Sequence, residues 1–385
     1  MKVLISGTAG AGGWPARGCG CASCLRLSPG RRRPAEVVLL SGHDTSPASL
    51  DDRSVRLPLA NPALQDHETS PGTARLPAGY RVSTGPDGLV LTTPGGHRIL
   101  YAAPPAGLPA LPGDGESADR PSPEHPGRPD GGRAVFDLVL MDVLDRPERL
   151  GGLRRRGAVT DRTHVVAVHI DHRVPTEAEL ARRAALWGVR AVPDGTVLDL
   201  GEPAPARAPL PRRTLLLGGA RSGKSAEAEL RLATEPRVRY VATGPSGDGD
   251  AEWDRRVRAH RERRPAHWET SETTDLAGLV RSTDIPLLVD GLGTWVAAVF
   301  DECDAWSGGD GLDAVAARCD ELVTAWRRPG ARVVAVSDEV GLGVVPATSS
   351  GRMFRDTLGR LNRRLARESE EVTLVVAGRL LPLPL

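Results

Sequence analysis

The stretch that most constrains the fold of this chain follows a short apolar run near its middle. It reads Gly218-Gly219-Ala220-Arg221-Ser222-Gly223-Lys224-Ser225 and fits the eight-position phosphate-binding loop (P-loop), with a predicted strand before it and a predicted helix after it. Glycines let successive backbone N–H groups point at one phosphate, and the helix N-terminus adds positive charge. Lys224 is expected to reach the β- and γ-phosphates of a bound nucleotide, and Ser225 to bind Mg²⁺. The alternative is a Gly-rich turn that matches by chance.

The rarity of lysine in this chain favours a phosphate-binding loop over a chance match. Among the 50 lysines and arginines, only Lys2 and Lys224 are lysine. An arginine fork would fit a phosphate cradle of this kind poorly, whereas a compact ammonium on a flexible stem fits it well. A lysine at this position is therefore informative.

Short apolar runs alternate with amphipathic stretches from the P-loop to the end of the chain. Strands are predicted at 213–218, 238–242, 286–290, 332–337 and 371–377, and helices at 223–233, 250–263, 311–328 and 351–367. This alternation predicts an α/β fold with a parallel sheet covered by helices, as in P-loop NTPases. Asp290 ends one predicted strand, where a carboxylate could approach Mg²⁺; alone, it is equally well explained as a solvated loop residue.

The part of the chain before the P-loop is predicted to form a separate domain. The Pro-rich segment 202–212 predicts a stiff linker between domains at 1–201 and 213–385, and the Pro- and Gly-rich segment 103–133 predicts a long insertion. Strands are predicted at 2–6, 36–41, 88–92, 97–102, 135–141 and 164–169, with a helix at 176–188. The first domain should therefore be α/β or α+β.

Charge and hydropathy exclude some classes of partner. The formal net charge is +1, so no overall field favours nucleic acid or a membrane surface. No stretch approaches the roughly 20 apolar residues that span a bilayer. The protein is expected to be cytoplasmic.

One histidine, His260, lies on the predicted helix at 250–263 among several arginines. Neighbouring positive charges disfavour its protonated form, which leaves a neutral ring nitrogen able to attack a phosphorus atom. From spacing alone, a surface histidine on a basic helix is the simpler explanation.

Several motifs in a fixed order carry a family resemblance across about 170 residues. They are the P-loop, Tyr240-Val241-Ala242-Thr243, His260 with Arg264-Pro265-Ala266-His267-Trp268, Asp290, Glu339-Val340-Gly341-Leu342-Gly343-Val344-Val345-Pro346, and Phe354-Arg355-Asp356 through Gly359-Arg360-Leu361-Asn362. With these motifs the segment 213–385 resembles the bifunctional adenosylcobinamide kinase and adenosylcobinamide-phosphate guanylyltransferase family.

The resemblance implies two reactions on a P-loop fold. A phosphoryl group passes from ATP or GTP to adenosylcobinamide; GMP then passes from GTP, through a histidine, to give adenosylcobinamide-GDP in cobalamin biosynthesis. His260 matches the guanylylated histidine. The positions that match nucleotide contacts are Thr243, Arg261, Arg264, Glu272 and Asp290. The resemblance also implies a homo-oligomer, a trimer.

Two positions depart from the family pattern. Members usually have Asn before Glu-Val-Gly, where this chain has Asp338, and Gln after the later Asn, where it has Arg363. Asp338 adds a negative charge beside the expected phosphate site.

The N-terminal half contains a group of cysteines with metal-site spacing. Cys19, Cys21 and Cys24 offer three thiolates, and zinc would require a fourth ligand. Together with His169-Ile170-Asp171-His172 they resemble the metallo-β-lactamase-fold subgroup that includes the carbon–phosphorus lyase phosphodiesterase. There, three such cysteines and a histidine matching His172 hold a structural zinc. Reduced surface cysteines beside a chance histidine pair remain the alternative.

The catalytic metal site of that subgroup has no counterpart in the sequence. Its His-x-His-x-Asp-His signature does not occur in residues 1–200, so we expect a degenerate, non-hydrolytic domain in which His169 is a leftover ligand.

Two rival functions stay open. A generic small-molecule P-loop kinase would not need His260, and a metal-dependent hydrolase would need the missing signature.

Overall fold

The computed structural model describes residues 1–40, 55–59, 78–102, 135–243 and 264–384. These residues form two compact units, Met1–Ala208 and Pro209–Leu385, and the boundary lies inside the Pro-rich segment 202–212. The predicted insertion at 103–133 and the predicted helix at 250–263 lie outside the described residues. No helix in the described ranges combines the length and apolarity that crossing a membrane requires.

The N-terminal unit contains two sheets. Its strands are β1 (Lys2–Gly7), β2 (Glu36–Leu40), β3 (Val55–Pro58), β4 (Arg81–Gly85), β5 (Gly88–Thr92), β6 (Arg98–Ala102), β7 (Leu138–Met141), β8 (His164–Ala167) and β9 (Thr196–Asp199), and its helices are α1 (Ala22–Leu25), α2 (Glu148–Arg155) and α3 (Glu177–Trp187). One sheet, ordered β3-β2-β1-β9, is antiparallel. The other, ordered β4-β5-β6-β7-β8, is antiparallel up to β6 and parallel from β6 to β8.

The two N-terminal sheets share one core. Val3 and Leu39 of the first sheet pack in the same apolar cluster as Leu138 and Val166 of the second. The unit is therefore a sandwich in which each sheet buries a face against the other. The likeness to the metallo-β-lactamase fold stays a prediction.

The C-terminal unit is built on one seven-stranded sheet. Its strands are β10 (Arg213–Gly218), β11 (Arg239–Ala242), β12 (Glu269–Glu272), β13 (Leu287–Asp290), β14 (Val333–Asp338), β15 (Glu371–Val376) and β16 (Arg379–Pro382). Its helices are α4 (Lys224–Leu232), α5 (Leu276–Ser282), α6 (Leu292–Glu302), α7 (Asp310–Arg327) and α8 (Ser349–Arg367). The order is β12-β11-β13-β14-β10-β15-β16, and only β16 is antiparallel to its neighbour.

Helices cover both faces of this sheet, because successive residues of a strand point to opposite sides. Leu215 and Leu217 of β10 pack into a cluster with residues of α5, α6, α7 and α8. Leu216 faces the other side, where it packs with Ala228 and Leu232 of α4. The predicted parallel sheet with helices on it is confirmed.

Each strand predicted after the linker overlaps an observed strand, but four elements of this unit were not predicted. They are β12, α5, α6 and β16. Strand β12 reads Glu-Thr-Ser-Glu and lies at the edge of the sheet, so it has no apolar run that would mark it in the sequence. Its pairing with β11 is what makes it a strand.

Candidate functional site

The carboxyl ends of the parallel strands bring the predicted nucleotide residues to one edge of the sheet. In the strand register, Ala242 lies opposite both Glu272 and Asp290, and Gly218 lies opposite Asp338. Strand β14 lies between β10, which leads into the P-loop, and β13, which ends at Asp290. Open parallel sheets bind their ligands at this edge.

The backbone of the P-loop requires glycine at two positions. A Cβ atom on Gly218 would lie 2.5 Å from the carbonyl oxygen of Val375 and 2.6 Å from Ser222 Oγ. Gly223 has a φ of +98°, which side chains other than glycine rarely tolerate. Helix α4 begins directly afterwards at Lys224, so its unpaired N–H groups face the loop.

Of the remaining loop residues, three are exposed and one is buried. Gly219, Ala220 and Arg221 are exposed, and Arg221 itself has a φ of +58°. Ser222 is buried, and its hydroxyl has no hydrogen-bond partner in the described structure. An orphaned buried hydroxyl in this loop is consistent with a site that accepts a polar ligand.

Lys224 is held inside the loop by two oxygen atoms. The residue is 7% exposed. Its Nζ donates to the carbonyl oxygen of Gly219 (3.0 Å) and lies 2.9 Å from Oδ1 of Asp338. The sequence analysis placed Asp338 near the phosphate site but not among the site residues, and the structure puts its carboxylate on the P-loop ammonium.

Ser225, Asp290 and Tyr240 form a connected group beside the loop. Ser225 Oγ donates to Asp290 Oδ1 (2.9 Å), and Tyr240 Oη donates to Asp290 Oδ2 (2.7 Å). Burial, reinforced by the charge of Asp290, raises the pKa of Tyr240 well above its ordinary value, so the phenol stays protonated and donates. Tyr240 is a site residue that the sequence analysis quoted only as part of a motif.

The donor set beside the P-loop suits Mg²⁺. A serine hydroxyl and a carboxylate in direct contact are hard oxygen ligands of the kind that magnesium prefers, and they adjoin the expected phosphate position. The structure brings Ser225 and Asp290 into contact, and their binding of Mg²⁺ stays a prediction.

Arg264 and Glu272 lie next to this group on the side of β11. The Arg264 guanidinium carbon is 3.2 Å from the centre of the Tyr240 ring, a cation–π arrangement. Arg264, Trp268 and Glu272 are among the residues that line a cavity of about 480 Å³. Part of its lining is on β12, which pairs with β11, the strand of Tyr240, and its size is within the range of small-ligand pockets.

Three other predicted nucleotide residues have different outcomes. Thr243 is buried at the end of β11, where its hydroxyl donates to the carbonyl oxygen of Gly291 (2.7 Å). Thr243 therefore lies at the expected edge of the sheet, but its hydroxyl is bonded to Gly291, the residue that precedes α6. His260 and Arg261 lie outside the described residues.

The predicted zinc ligands of the N-terminal unit come together in space. Sγ of Cys19, Cys21 and Cys24 and a ring nitrogen of His172 all lie within 4.8 Å of one another. Cys19 Sγ is 3.8 Å from His172 Nδ1, although the two residues are 153 positions apart. A hydrogen bond from the Cys24 N–H lowers the pKa of Cys21, which favours its thiolate, whereas burial raises the pKa of Cys24.

The loop that carries His172 is fixed by its neighbour. Arg173 pairs with Asp171 (Nε–Oδ1, 2.8 Å) and with the buried Asp142 (Nη2–Oδ2, 2.8 Å), and donates to the carbonyl oxygen of His169 (3.0 Å). These contacts span the end of β7 and the segment after β8. They hold the backbone on both sides of His172.

His169 does not belong to the group of potential metal ligands formed by the cysteines and His172. Its Nε2 is 2.5 Å from Tyr101 Oη, and burial lowers its pKa. The carboxyl of Asp142 lies nearby, with its own pKa raised by burial, and is paired with Arg173. Within the described ranges, the cysteine and His172 group is the one cluster of three or more potential metal ligands.

Comparison with known proteins gives matches to the C-terminal part of the chain. Residues 214–383 match the family described as cobinamide kinase / cobinamide phosphate guanyltransferase. The bifunctional adenosylcobalamin biosynthesis protein CobP of Pseudomonas aeruginosa is 45% identical over 180 residues, which cover 45% of this chain and 96% of that protein. The corresponding CobU proteins of Salmonella typhimurium and Escherichia coli are 37% and 38% identical, each over 43% of this chain and 95% of the relative.

Proposed function

This chain belongs, through its C-terminal unit, to the cobinamide kinase / cobinamide phosphate guanyltransferase family, and we propose that it phosphorylates adenosylcobinamide and then transfers GMP to the product. The observation that carries the proposal is the contact of Ser225 with Asp290 next to a buried P-loop lysine. A buried lysine beside a serine and a carboxylate at the end of a parallel strand is an arrangement suited to phosphoryl transfer.

The kinase step relies on positioning and charge neutralisation. The loop N–H groups and Lys224 hold the β- and γ-phosphates, while the acceptor hydroxyl of the corrinoid approaches the γ-phosphorus from outside the loop. The acceptor oxygen forms a bond to that phosphorus as the bridging oxygen leaves with ADP or GDP. Bound Mg²⁺, held by Ser225 and Asp290, would neutralise phosphate charge.

The guanylyl step is covalent catalysis by His260. A ring nitrogen bonds to the α-phosphorus of GTP and pyrophosphate leaves; the phosphate oxygen of the first product then displaces the histidine. In the sequence, Thr243 and Arg264 flank the segment that contains His260. Arg264 stacks on the ring of Tyr240, whose hydroxyl donates to Asp290. Their placement supports one nucleotide cradle for both steps, with Arg261, Arg264 and Glu272 as nucleotide contacts.

The test is covalent labelling of the full chain with GTP that is radioactive at the α-phosphate. We expect acid-labile, base-stable label on the wild type and none on His260→Ala. His267→Ala is the matched control, since His267 is the nearby histidine whose ring contacts the carbonyl oxygen of Glu235 (3.3 Å). If the wild type takes no label while ATP is still hydrolysed, the chain is a generic P-loop kinase and the transferase proposal fails.

We propose in addition that the N-terminal unit binds one structural zinc through Cys19, Cys21, Cys24 and His172. The convergence of three thiols and an imidazole within 4.8 Å supports a four-coordinate site. The test is zinc content of the full chain, with Cys21→Ser and His172→Ala as the altered variants and Cys303→Ser as the control. Metal absent from the wild type would contradict the proposal.

The assembly and location expected from the sequence stay predictions. A homo-trimer is tested by light scattering of the full chain, where a monomer mass would count against it. Cytoplasmic location is tested by fractionation of cells that express the protein.

A further inference from the structure

The carboxylate of Asp338 lies against the ammonium of Lys224, the lysine of the phosphate-binding loop. Asp338 ends β14 and lies opposite Gly218 in the register with β10. Its Oδ1 is 2.9 Å from Lys224 Nζ, and the lysine side chain is 9% exposed. The charge that should attract phosphate is therefore already matched by a carboxylate.

Surrounding groups hold the backbone that carries Asp338. Asn362, which is buried in α8, accepts a hydrogen bond from Ser337 Oγ (2.6 Å) and donates to the carbonyl oxygen of Asp338 (3.0 Å). A Cβ atom on Gly293 would lie 2.6 Å from Asp338 Oδ2, so the carboxylate packs closely against the backbone of α6. The backbone at Asp338 is thus held in place, and its carboxylate, whose side chain is 40% exposed, lies between Lys224 and the start of α6.

The neighbouring carboxylate is directed elsewhere. Oε1 of Glu339 accepts from the N–H of Gly341 (2.9 Å), and its own N–H donates to the carbonyl oxygen of Gly218 (3.2 Å). Within the described ranges, Asp338 lies on the buried ammonium of Lys224, and Asp290 lies on Ser225, the next residue. A nucleotide without a counter-ion would bring its negative charge close to both.

We infer that Asp338 competes with nucleotide phosphate for Lys224 and so makes nucleotide binding depend on an accompanying divalent cation. The inference rests on the proposed function of this site. Like charges separated by a few ångströms near a protein surface repel by more than thermal energy, and a cation bound with the phosphates removes most of that repulsion. Free ATP or GTP should therefore bind much more weakly than its magnesium complex.

Asp338→Asn tests this directly, because the amide keeps the size of the side chain and removes its charge. Dissociation constants for ATP and GTP would be measured by calorimetry on the full chain, in Mg²⁺ and in EDTA. We expect Asp338→Asn to tighten binding in EDTA about tenfold or more and to change binding in Mg²⁺ less, so that the ratio of the two constants falls. Glu339→Gln, which removes the adjacent charge, should leave that ratio close to the wild-type value.

Two results would overturn the inference. One is an unchanged ratio in Asp338→Asn; the other is weaker binding in Mg²⁺, which would make Asp338 a contact that assists the nucleotide complex. Asp338→Ser serves as a second neutral variant, with thermal denaturation to establish that each variant is folded. A wild type that binds no nucleotide under either condition would instead refute the proposed function itself, and that outcome is distinct from an unchanged ratio.

Discussion

Helix α4, which begins at the P-loop lysine, is anchored at its other end by a buried ion-pair group. Arg231 is 2% exposed; its Nε donates to Glu227 Oε1 (2.8 Å) and its Nη1 to Glu371 Oε2 of β15 (2.5 Å). Glu227 is 9% exposed and Glu371 is 30% exposed. We predict that Arg231→Met destabilises the C-terminal unit severely.

The magnitude follows from the burial of the acidic partner. Arg231→Met removes the guanidinium that pairs with both Glu227 and Glu371, and breaking a buried ion pair typically costs about 3–5 kcal/mol. Met retains most of the aliphatic volume, so a cavity contributes little of this loss. Glu371→Gln removes a more exposed charge and should cost about 1 kcal/mol. Combining Arg231→Met with Glu227→Leu should recover at least half of the loss, because a buried pair can often be replaced by apolar side chains.

The assay is urea denaturation of the full chain followed by circular dichroism. The transition that moves to higher urea when nucleotide is added is assigned to the C-terminal unit, since a ligand stabilises the fold that binds it. A loss below about 1 kcal/mol in Arg231→Met would refute the reasoning, because it would mean that Glu227 is adequately compensated without the guanidinium.

Three further predictions concern single side chains. Tyr240→Phe removes the hydrogen bond to Asp290 but keeps the ring under Arg264; we expect a loss of about 1.5–3 kcal/mol in urea denaturation and weaker nucleotide binding. Gly218→Ala places a methyl group 2.5 Å from the Val375 carbonyl oxygen and should lower the free energy of unfolding by more than about 2 kcal/mol, as overpacking does. Gly219→Ala meets no atom within 4 Å and should cost less. Equal losses in the two variants would contradict this reasoning. Burial raises the pKa of Cys319 to about 11, so as the pH rises this thiol ionises in the unfolded chain before it ionises in the folded one. The free energy of unfolding is therefore unaffected by this group below about pH 8.5 and falls as the pH rises towards 11. Cys319→Ala should therefore show a shallower loss of stability over that range in urea titrations at each pH, and an unchanged slope would count against it.

Local sequence patterns were sufficient to predict the framework of the C-terminal unit. Apolar runs such as 213–218 became strands because a central parallel strand buries both faces and must be apolar along its length. The edge strand β12 has no such requirement, and its sequence therefore carried no signal. The P-loop was recognisable because its backbone geometry demands glycine at fixed positions.

The chemistry of the sites was only partly accessible from the sequence. Lys224 and Ser225 were predicted from the spacing of the P-loop, and Asp290 from its place at the end of an apolar strand in a chain that has a P-loop. Cys19, Cys21, Cys24 and His172 were predicted as ligands by resemblance. The roles of Tyr240 and Arg173 were not, since each depends on partners distant in the chain: Asp290 for the first and Asp142 for the second.

The apolar central strands and the start of the P-loop could therefore be predicted from local sequence, because these properties depend on neighbouring residues, whereas the edge strand β12 could not. Only the tertiary structure decided that β14 lies between β10 and β13, which places Asp338 on Lys224. It likewise decided that His172 reaches the cysteines across 153 residues. Such contacts follow from the order in which strands pair, and strand order is set by the packing of the whole unit.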